Sequence, residues 1–410
     1  MRILSIETSC DETAVSIIEA QGDIHSPTYR ILGNALFSQI DIHTEYGGVF
    51  PMLAKREHVK NLVPLLSQAN KLAKEALEGS EYNTGIPELT PEKRTLITEI
   101  LHREEGLSEQ IFNFLDTQEL LEVDAVAVTE GPGLEPALWV GVSFAKALSI
   151  IFDKPLIPVN HMEGHIVSVL MSDGVEKKDH QISPQVSFPA LSLLISGGHT
   201  ELVLSEDWHQ YKIIGQTVDD AVGEAFDKVA RLLDLPYPGG PKISKLAAES
   251  RLHKLKEKAH NWSLPRPMMH SKDFNFSFSG LKTAVLYAVQ EKTKSGPLSD
   301  DDKKTLSEEF ENAVTEVLVH KTKKVIDEYQ CNTLIVGGGV IANTYIRSTL
   351  KDMIQEHAPH TTLLIPSIDL TTDNSVMIGI AGYLRYISHD PKILQPKDVL
   401  SLTAKGNLSL

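Results

Sequence analysis

Two imidazoles four residues apart, in His161-Met162-Glu163-Gly164-His165, share one face if the segment is helical, and from there both reach one metal ion. Peptidase zinc motifs need a glutamate directly after the first histidine or directly before the second. Glu163 stands midway, on another face, so neither motif is met. The plainer alternative is a pair of histidines making ordinary polar contacts at a helix start. Asp373, in Thr371-Thr372-Asp373-Asn374 ahead of the apolar helix Ser375–Ile387, is the candidate third ligand, and a simple N-cap is the competing reading. Two imidazoles and one carboxylate leave coordination positions open, which suits a catalytic ion rather than a structural one.

Three glycine-rich turns could cradle phosphate: Ser196-Gly197-Gly198-His199-Thr200, Pro238-Gly239-Gly240-Pro241 and Gly337-Gly338-Gly339. Glycine lets backbone N–H groups approach phosphate oxygens, and a following helix N-terminus adds a favourable dipole. None fits a P-loop or a dinucleotide fingerprint, and any one alone reads as a simple turn. Asp220, Glu224 and Asp227 fall on one face of a helix whose other face is apolar, so they could meet ribose hydroxyls or hydrated magnesium; a solvated acidic face is the alternative. Asn275–Leu281 alternates aromatic and serine residues like a half-buried strand. The basic stretches Arg251–Lys258 and Lys321–Lys324 read as solvated helix surface.

The elements that must position these groups alternate. Strands are expected at Ile3–Ile6, Ala14–Ile18, Asp124–Thr129, Ala190–Ile195, Glu201–Leu204 and Thr333–Val336, with helices at Val59–Leu77 and Leu138–Ile151 and another opening near Asn343. Strand, polar turn, strand occurs near the N-terminus and again from Ala190, a weak repetition of one plan. The class is therefore α/β, with helix-flanked sheets. Glu78–Glu122 is polar and acidic, and Thr90-Pro91-Glu92 is a helix start, so we expect one or two surface helices inserted there and dispensable for the core fold. Ser172–Ser187 reads as a lobe connection and Ser295–Lys304 as a charged loop.

A chain of 410 residues is long enough for two lobes. No stretch approaches the roughly 18 to 20 apolar residues of a membrane span, and the N-terminus lacks a signal-peptide layout. With Cys10 and Cys331 alone, no disulfide framework or four-cysteine zinc site forms, and a reducing cytoplasm is the expected home. A net charge of −16 argues against broad, non-specific nucleic-acid binding.

Taken in order, the motifs resemble those of the TsaD family of tRNA adenosine threonylcarbamoyltransferases. They are Ile6-Glu7-Thr8-Ser9-Cys10-Asp11-Glu12-Thr13, Gly131-Pro132-Gly133-Leu134, His161–His165, Ser196–Thr200, Asp220–Lys228, Tyr237–Pro241, Phe276–Lys282, Gly337–Val340 with Asn343, and Thr372-Asp373-Asn374. The resemblance implies an actin-like ATPase fold: two ribonuclease-H-like lobes with nucleotide and metal in the cleft between them. It implies an N-terminal lobe over 1–170 with its insertion at 78–122, a nucleotide-binding lobe over 186–365, and a C-terminal segment, 366–410, that supplies a metal ligand and packs back on the first lobe. His161, His165 and Asp373 would hold one divalent metal, iron or zinc, with iron favoured. Leu194, Ile195, Ser196, Gly197, Gly198, Asp227, Gly240 and Asn343 would contact ATP or threonylcarbamoyl-adenylate. Asp11 and Glu12 would be catalytic or positioning residues.

The implied reaction moves threonylcarbamoyl from its adenylate to the exocyclic amine of the adenosine next to the anticodon, in tRNAs reading codons that begin with A. The implied partners are tRNA, a smaller paralogous subunit, an ATPase subunit and an upstream adenylate-forming enzyme, with no membrane. An acyl-adenylate is already activated, so positioning and oxyanion stabilisation suffice, and no Ser-His-Asp or Cys-His pattern competes. Three departures from the family pattern lie in the N-terminal lobe: Glu135-Pro136 where small residues are usual, Met52 where an acid is common, and the 78–122 insertion. The rival readings are a metallopeptidase, a small-molecule kinase of the same fold, and an ATP-gated scaffold.

Overall fold

The structure, a computed structural model, describes residues 1–85, 87, 89–171, 181–253 and 262–410. The chain divides into two compact units, 1–185 with 372–410, and 186–371. Residues 366–371, expected with the C-terminal segment, thus lie in the second unit.

In the first unit, β1 (Arg2–Glu7), β2 (Glu12–Gln21) and β3 (Thr28–Ser38) form an antiparallel meander. Then come α1 (Ile40–Thr44), α2 (Pro51–Ala76), β4 (Thr84–Gly85), α3 (Pro91–Ile100), α4 (Leu107–Leu115) and β5 (Leu120–Leu121). Next are β6 (Ala125–Gly131), α5 (Glu135–Phe152), β7 (Leu156–Asn160), α6 (His161–Val167) and β8 (Gln181–Ile182). The sheet order is β7-β6-β1-β2-β3-β8, with β1, β6 and β7 parallel.

The second unit repeats the plan. A meander of β9 (Ala190–Ile195), β10 (Thr200–Asp207) and β11 (Gln210–Gln216) is followed by α7 (Val222–Leu232), α8 (Gly239–His253), α9 (Ser279–Thr293) and α10 (Asp300–Tyr329). Then come β12 (Thr333–Gly337), α11 (Thr344–His357) and β13 (Thr362–Leu364), in the order β11-β10-β9-β12-β13. In both units three antiparallel strands are continued by two parallel ones, which is the ribonuclease-H-like plan. The fold class is α/β, as expected.

The chain re-enters the first unit through α12 (Ser375–Ile387), which packs across β1, β2, β6 and β7. Glycines permit that approach: a Cβ on Gly382 would stand 2.8 Å from Ala127 Cβ. The last residues run over the end of β6, where Gly131 has φ +152° and a Cβ would meet the Lys405 carbonyl oxygen at 1.9 Å. Only glycine allows that crossing.

Several expectations change. The 78–122 segment is no detachable surface excursion: Ile97, Leu101, Leu107, Ile111, Phe114, Leu115, Leu120 and Leu121 are all buried in the first unit's core. Its exposed faces supply the polar composition, while periodic apolar residues carry its packing. Glu135–Phe152 is long and apolar enough to cross a membrane, contrary to the sequence reading, but it is mostly buried as the core helix α5. The unusual Glu135-Pro136 simply opens it, an acid and a proline in the first turn. Ser295–Lys304 is loop only up to Ser299, whose hydroxyl and Asp302 form a capping box that starts the 30-residue α10.

Asn275–Leu281 is not a strand. Phe276 makes one bridge to Thr217, Phe278 is buried, and Asp219 accepts from Ser277 Oγ, Ser279 Oγ and the Phe278 and Ser279 amides at the start of α9. Lys321 is fully buried, donating to Ser271 Oγ (2.6 Å) and the Asp273 carbonyl (2.9 Å), so it anchors a loop rather than facing water. Arg251 pairs with Glu311; Lys254–Lys258 and most of the Ser172–Ser187 connection lie outside the described residues.

Candidate metal and nucleotide sites

β7 ends at Asn160, whose side chain caps α6 by accepting from the Met162 and Glu163 amides. His161 therefore stands at the carboxyl end of a parallel strand, where α/β sheets place ligands. One helical turn on is His165, and Asp373 arrives just ahead of α12. Asn374, not Asp373, caps that helix, accepting from the Met377 amide. Asp373 Oδ1 lies 3.3 Å from His161 Nε2 and 3.2 Å from His165 Nε2, and the three ligand atoms fall within 4.8 Å of one another.

A metal ion fits this arrangement. His165 is fully buried; its Nδ1 has no hydrogen-bond partner among the described residues, and its Nε2 meets the Asp373 carboxylate outside good hydrogen-bond geometry. His161 Nδ1 faces Glu7 Oε2 at 3.1 Å, with Ser9 Oγ at 3.2 Å. A proton held on Nδ1 for Glu7 leaves the Nε2 lone pair aimed at the Asp373 carboxylate. Lone pair and carboxylate repel unless positive charge sits between them. Glu7 is itself fixed by Thr129 Oγ1 (2.6 Å) and the Ser9 amide, a supporting carboxylate of the kind that orients metal-bound histidines. Sequence reasoning assigned Glu7 no role; its place at the end of the central parallel strand was the available signal.

Burial opposes charge on His161, yet Asp373 and Glu7 outweigh it and hold the imidazole well above its ordinary value. Burial likewise opposes charge on Asp373, but the two histidines keep it far below the usual carboxylate range. Without an ion, a proton supplies the missing positive charge.

Asp11, on the turn after β1, and Glu12, the first residue of β2, are both buried. Burial, Asp11 and Asp373 push the Glu12 carboxyl well above its usual range, and Ser38 Oγ donates to it at 3.3 Å. A protonated Glu12 has a hydroxyl to donate to the Asp11 side chain beside it. Burial and the same carboxylates push the Cys10 thiol well up, so no thiolate nucleophile forms there. Glu163 is fully buried and clamped by Arg385, with Nε at 2.7 Å and Nη2 at 2.5 Å, and Arg385 also meets Asp390.

The second unit holds a cavity of about 440 Å³ at the ends of β9 and β12, lined by Gly197, Asp227, Gly240, Lys245 and Asn343 among others. Pro238–Pro241 opens α8, and the Gly239 amide donates to Asp227 Oδ1 at 2.7 Å. Asn343 caps α11 by accepting from the Tyr345 and Ile346 amides, while its Nδ2 donates to Glu311 at 2.6 Å. Gly338, at φ +92°, brings its turn against the Ile195 carbonyl.

The other residues that the resemblance implies are not in this lining. Leu194 and Ile195 are core residues of β9, Ser196 Oγ accepts from the His199 amide, and Gly198 is exposed in the turn. Asp220 precedes α7, so only Glu224 and Asp227 of the three carboxylates lie on that helix, and Lys228 bridges Asp220 (2.7 Å) and Glu224 (2.8 Å).

Comparison with known proteins fits this geometry into a family. The model of TsaD, tRNA N6-adenosine threonylcarbamoyltransferase, matches residues 30–79 and 105–380. The chain is 38% identical to the protein of that name from Thermosipho africanus, covering 94% of each chain. It is 37% identical to that of Nitrosomonas europaea, covering 100% of this chain and 99% of the relative, and 38% identical to that of Staphylococcus aureus strain JH9, covering 94% and 91%. Among solved structures, nucleotide-bound full-length HypF is similar at a TM-score of 0.45 and 14% identity, covering 70% of this chain and 42% of that one. With a family model over most of its length and relatives that match nearly end to end, the chain belongs to the TsaD family.

Proposed function

We propose that this protein transfers threonylcarbamoyl from its adenylate to the exocyclic amine of the adenosine next to the anticodon, in tRNAs reading codons that begin with A. The observation that carries the reading is the convergence of His161, His165 and Asp373 beside the Asp11–Glu12 pair, in a chain of this family. The two imidazoles and the carboxylate would hold one divalent ion, iron favoured and zinc compatible with the same donors. When bound, that ion supplies charge and polarisation for the acyl group.

The chain's own residues do the rest. Glu7 orients His161, and Asp11, with Glu12 beside it, takes the proton that the attacking amine gives up. The second unit's cavity keeps ATP or the adenylate, with the α8 N-terminus at Gly240 offering amides to phosphate and Asp227 near the sugar. Cytoplasmic location, tRNA, a smaller paralogous subunit, an ATPase subunit and an upstream adenylate-forming enzyme belong to the same proposal. A peptidase reading is disfavoured because Glu163, the only glutamate between the histidines, is tied to Arg385 and cannot serve as base. The test is transfer from labelled threonine, bicarbonate and ATP onto tRNA with an adenylate-forming enzyme supplied. Label on the adenosine that disappears with His161→Ala supports the reading, and no transfer with the complete set of partners removes it.

A further inference from the structure

The loop between α1 and α2 carries an aromatic pair that the described residues leave exposed. Tyr46 and Phe50 stack with ring centroids 6.0 Å apart and planes inclined by 25°, yet they are 62% and 53% exposed. Met52, 54% exposed in the first turn of α2, extends the patch, and Arg56 lies one turn further along. Arg56 and Arg103 are exposed, and neither side chain forms a hydrogen bond or ion pair among the described residues. Lys55 ties Arg103 into this surface, donating to its carbonyl at 3.1 Å and pairing with Glu104 at 3.0 Å. Arg103 comes from residues 80–104, an internal stretch between the two that the family model matches.

The patch is fastened to the turn beside the metal residues. The Phe50 amide donates to His43 Nδ1, His43 Nε2 meets Gln39 Oε1, and the Gln39 amide donates to the Asp11 carbonyl. Stacked flat rings with free faces take another planar ring, and unpaired guanidiniums take phosphate. An apolar protein interface would need the rings but not two guanidiniums left without an ion pair among the described residues.

Building on the function proposed above, we infer that Tyr46 and Phe50 form a stacking platform for an unpaired base flanking the acceptor adenosine, with Arg56 and Arg103 on the neighbouring phosphates. An acceptor base entering beside Asp11 must splay its single-stranded loop, and the platform receives the displaced neighbour.

The test uses the full metal-loaded chain, its partners and an anticodon stem-loop RNA with 2-aminopurine next to the acceptor adenosine. Binding of the unaltered protein should quench the fluorophore. Tyr46→Leu/Phe50→Leu should abolish the quench and weaken RNA binding about ten- to a hundredfold, the loss of one base–aromatic stack. Tyr46→Phe/Phe50→Tyr should restore both. Arg56→Gln/Arg103→Gln should lower the salt dependence of binding by about one to two phosphate contacts. In transfer, KM for RNA should rise while kcat at saturating RNA is kept, and unchanged metal content shows that each variant is folded.

Equal RNA affinity and KM in the leucine variant, with transfer intact, overturns the platform and leaves the reaction standing. Loss of association with the smaller subunit instead of RNA assigns the patch to a protein and overturns it too. A chain that neither binds nor modifies RNA removes the platform together with the function it rests on.

Discussion

His58 and Asp373 are buried ionisable groups with opposite tendencies. Burial pushes His58 down to about 4, although the Cys10 carbonyl accepts from it and Thr13 Oγ1 lies 2.7 Å from its other nitrogen. The folded state therefore refuses a proton that the unfolded chain takes at its ordinary 6.5. Stability is complete above that value and falls as pH drops towards 4, by about 3 kcal/mol in all. Urea unfolding at intervals between pH 7 and 4 should show this loss, and His58→Gln should flatten it. Asp373 is held in its charged form by two imidazoles. Replacing Asp373, His161 or His165 with alanine should empty the site of metal while circular dichroism stays unchanged, and full occupancy in the double histidine variant would refute the ligand assignment.

Helices show where the sequence was informative and where it was not. Ser375–Ile387 was legible to the residue from its apolar run, although its cap is Asn374 and not the Asp373 that the sequence offered. α2 starts eight residues before the expected Val59, at Pro51, since proline at the first helical position is permitted and its first turns are only partly apolar. The 78–122 segment misled through composition: average polarity concealed the inward-facing Ile97, Ile111 and Phe114. Ile111→Ala should cost about 2–5 kcal/mol, as a core residue does, and replacing the whole segment by a linker should destabilise the unit rather than leave it intact.

The α6–α12 clamp was invisible because Glu163 and Arg385 are far apart in sequence and pattern reasoning sees only near neighbours. Arg385→Met strands a buried carboxylate and should cost about 3–5 kcal/mol, most of it recovered by Glu163→Leu in the same chain. Denaturant midpoints of the two variants decide this.

For the molecule as a whole, the repeated plan was legible because each meander begins as an apolar strand, a polar turn and a second strand. The cavity lining was legible only in part: glycines marked the turns, while Leu194 and Ile195, which the resemblance implied as contacts, are buried in β9 outside the lining. The proposed nucleotide site predicts that ATP at a hundred times its Kd stabilises the protein by about 2.7 kcal/mol. A Cβ on Gly240 would meet nothing nearer than Phe226 Cβ at 4.0 Å, so Gly240→Val fills the cavity without disturbing its wall and should abolish the thermal shift.

The chain leaves the first unit after the two histidines and returns to it at Thr372, three residues before α12, bringing Asp373. During synthesis a nascent chain thus carries both imidazoles through translation of the entire second unit before its carboxylate emerges. A polypeptide stalled at Thr371 should take up no ion where a released one does, as metal analysis of ribosome-bound and free chains would show. On the proposed ligand set, loading would be a late step in the protein's life, and prematurely terminated fragments would lack one of the three ligands.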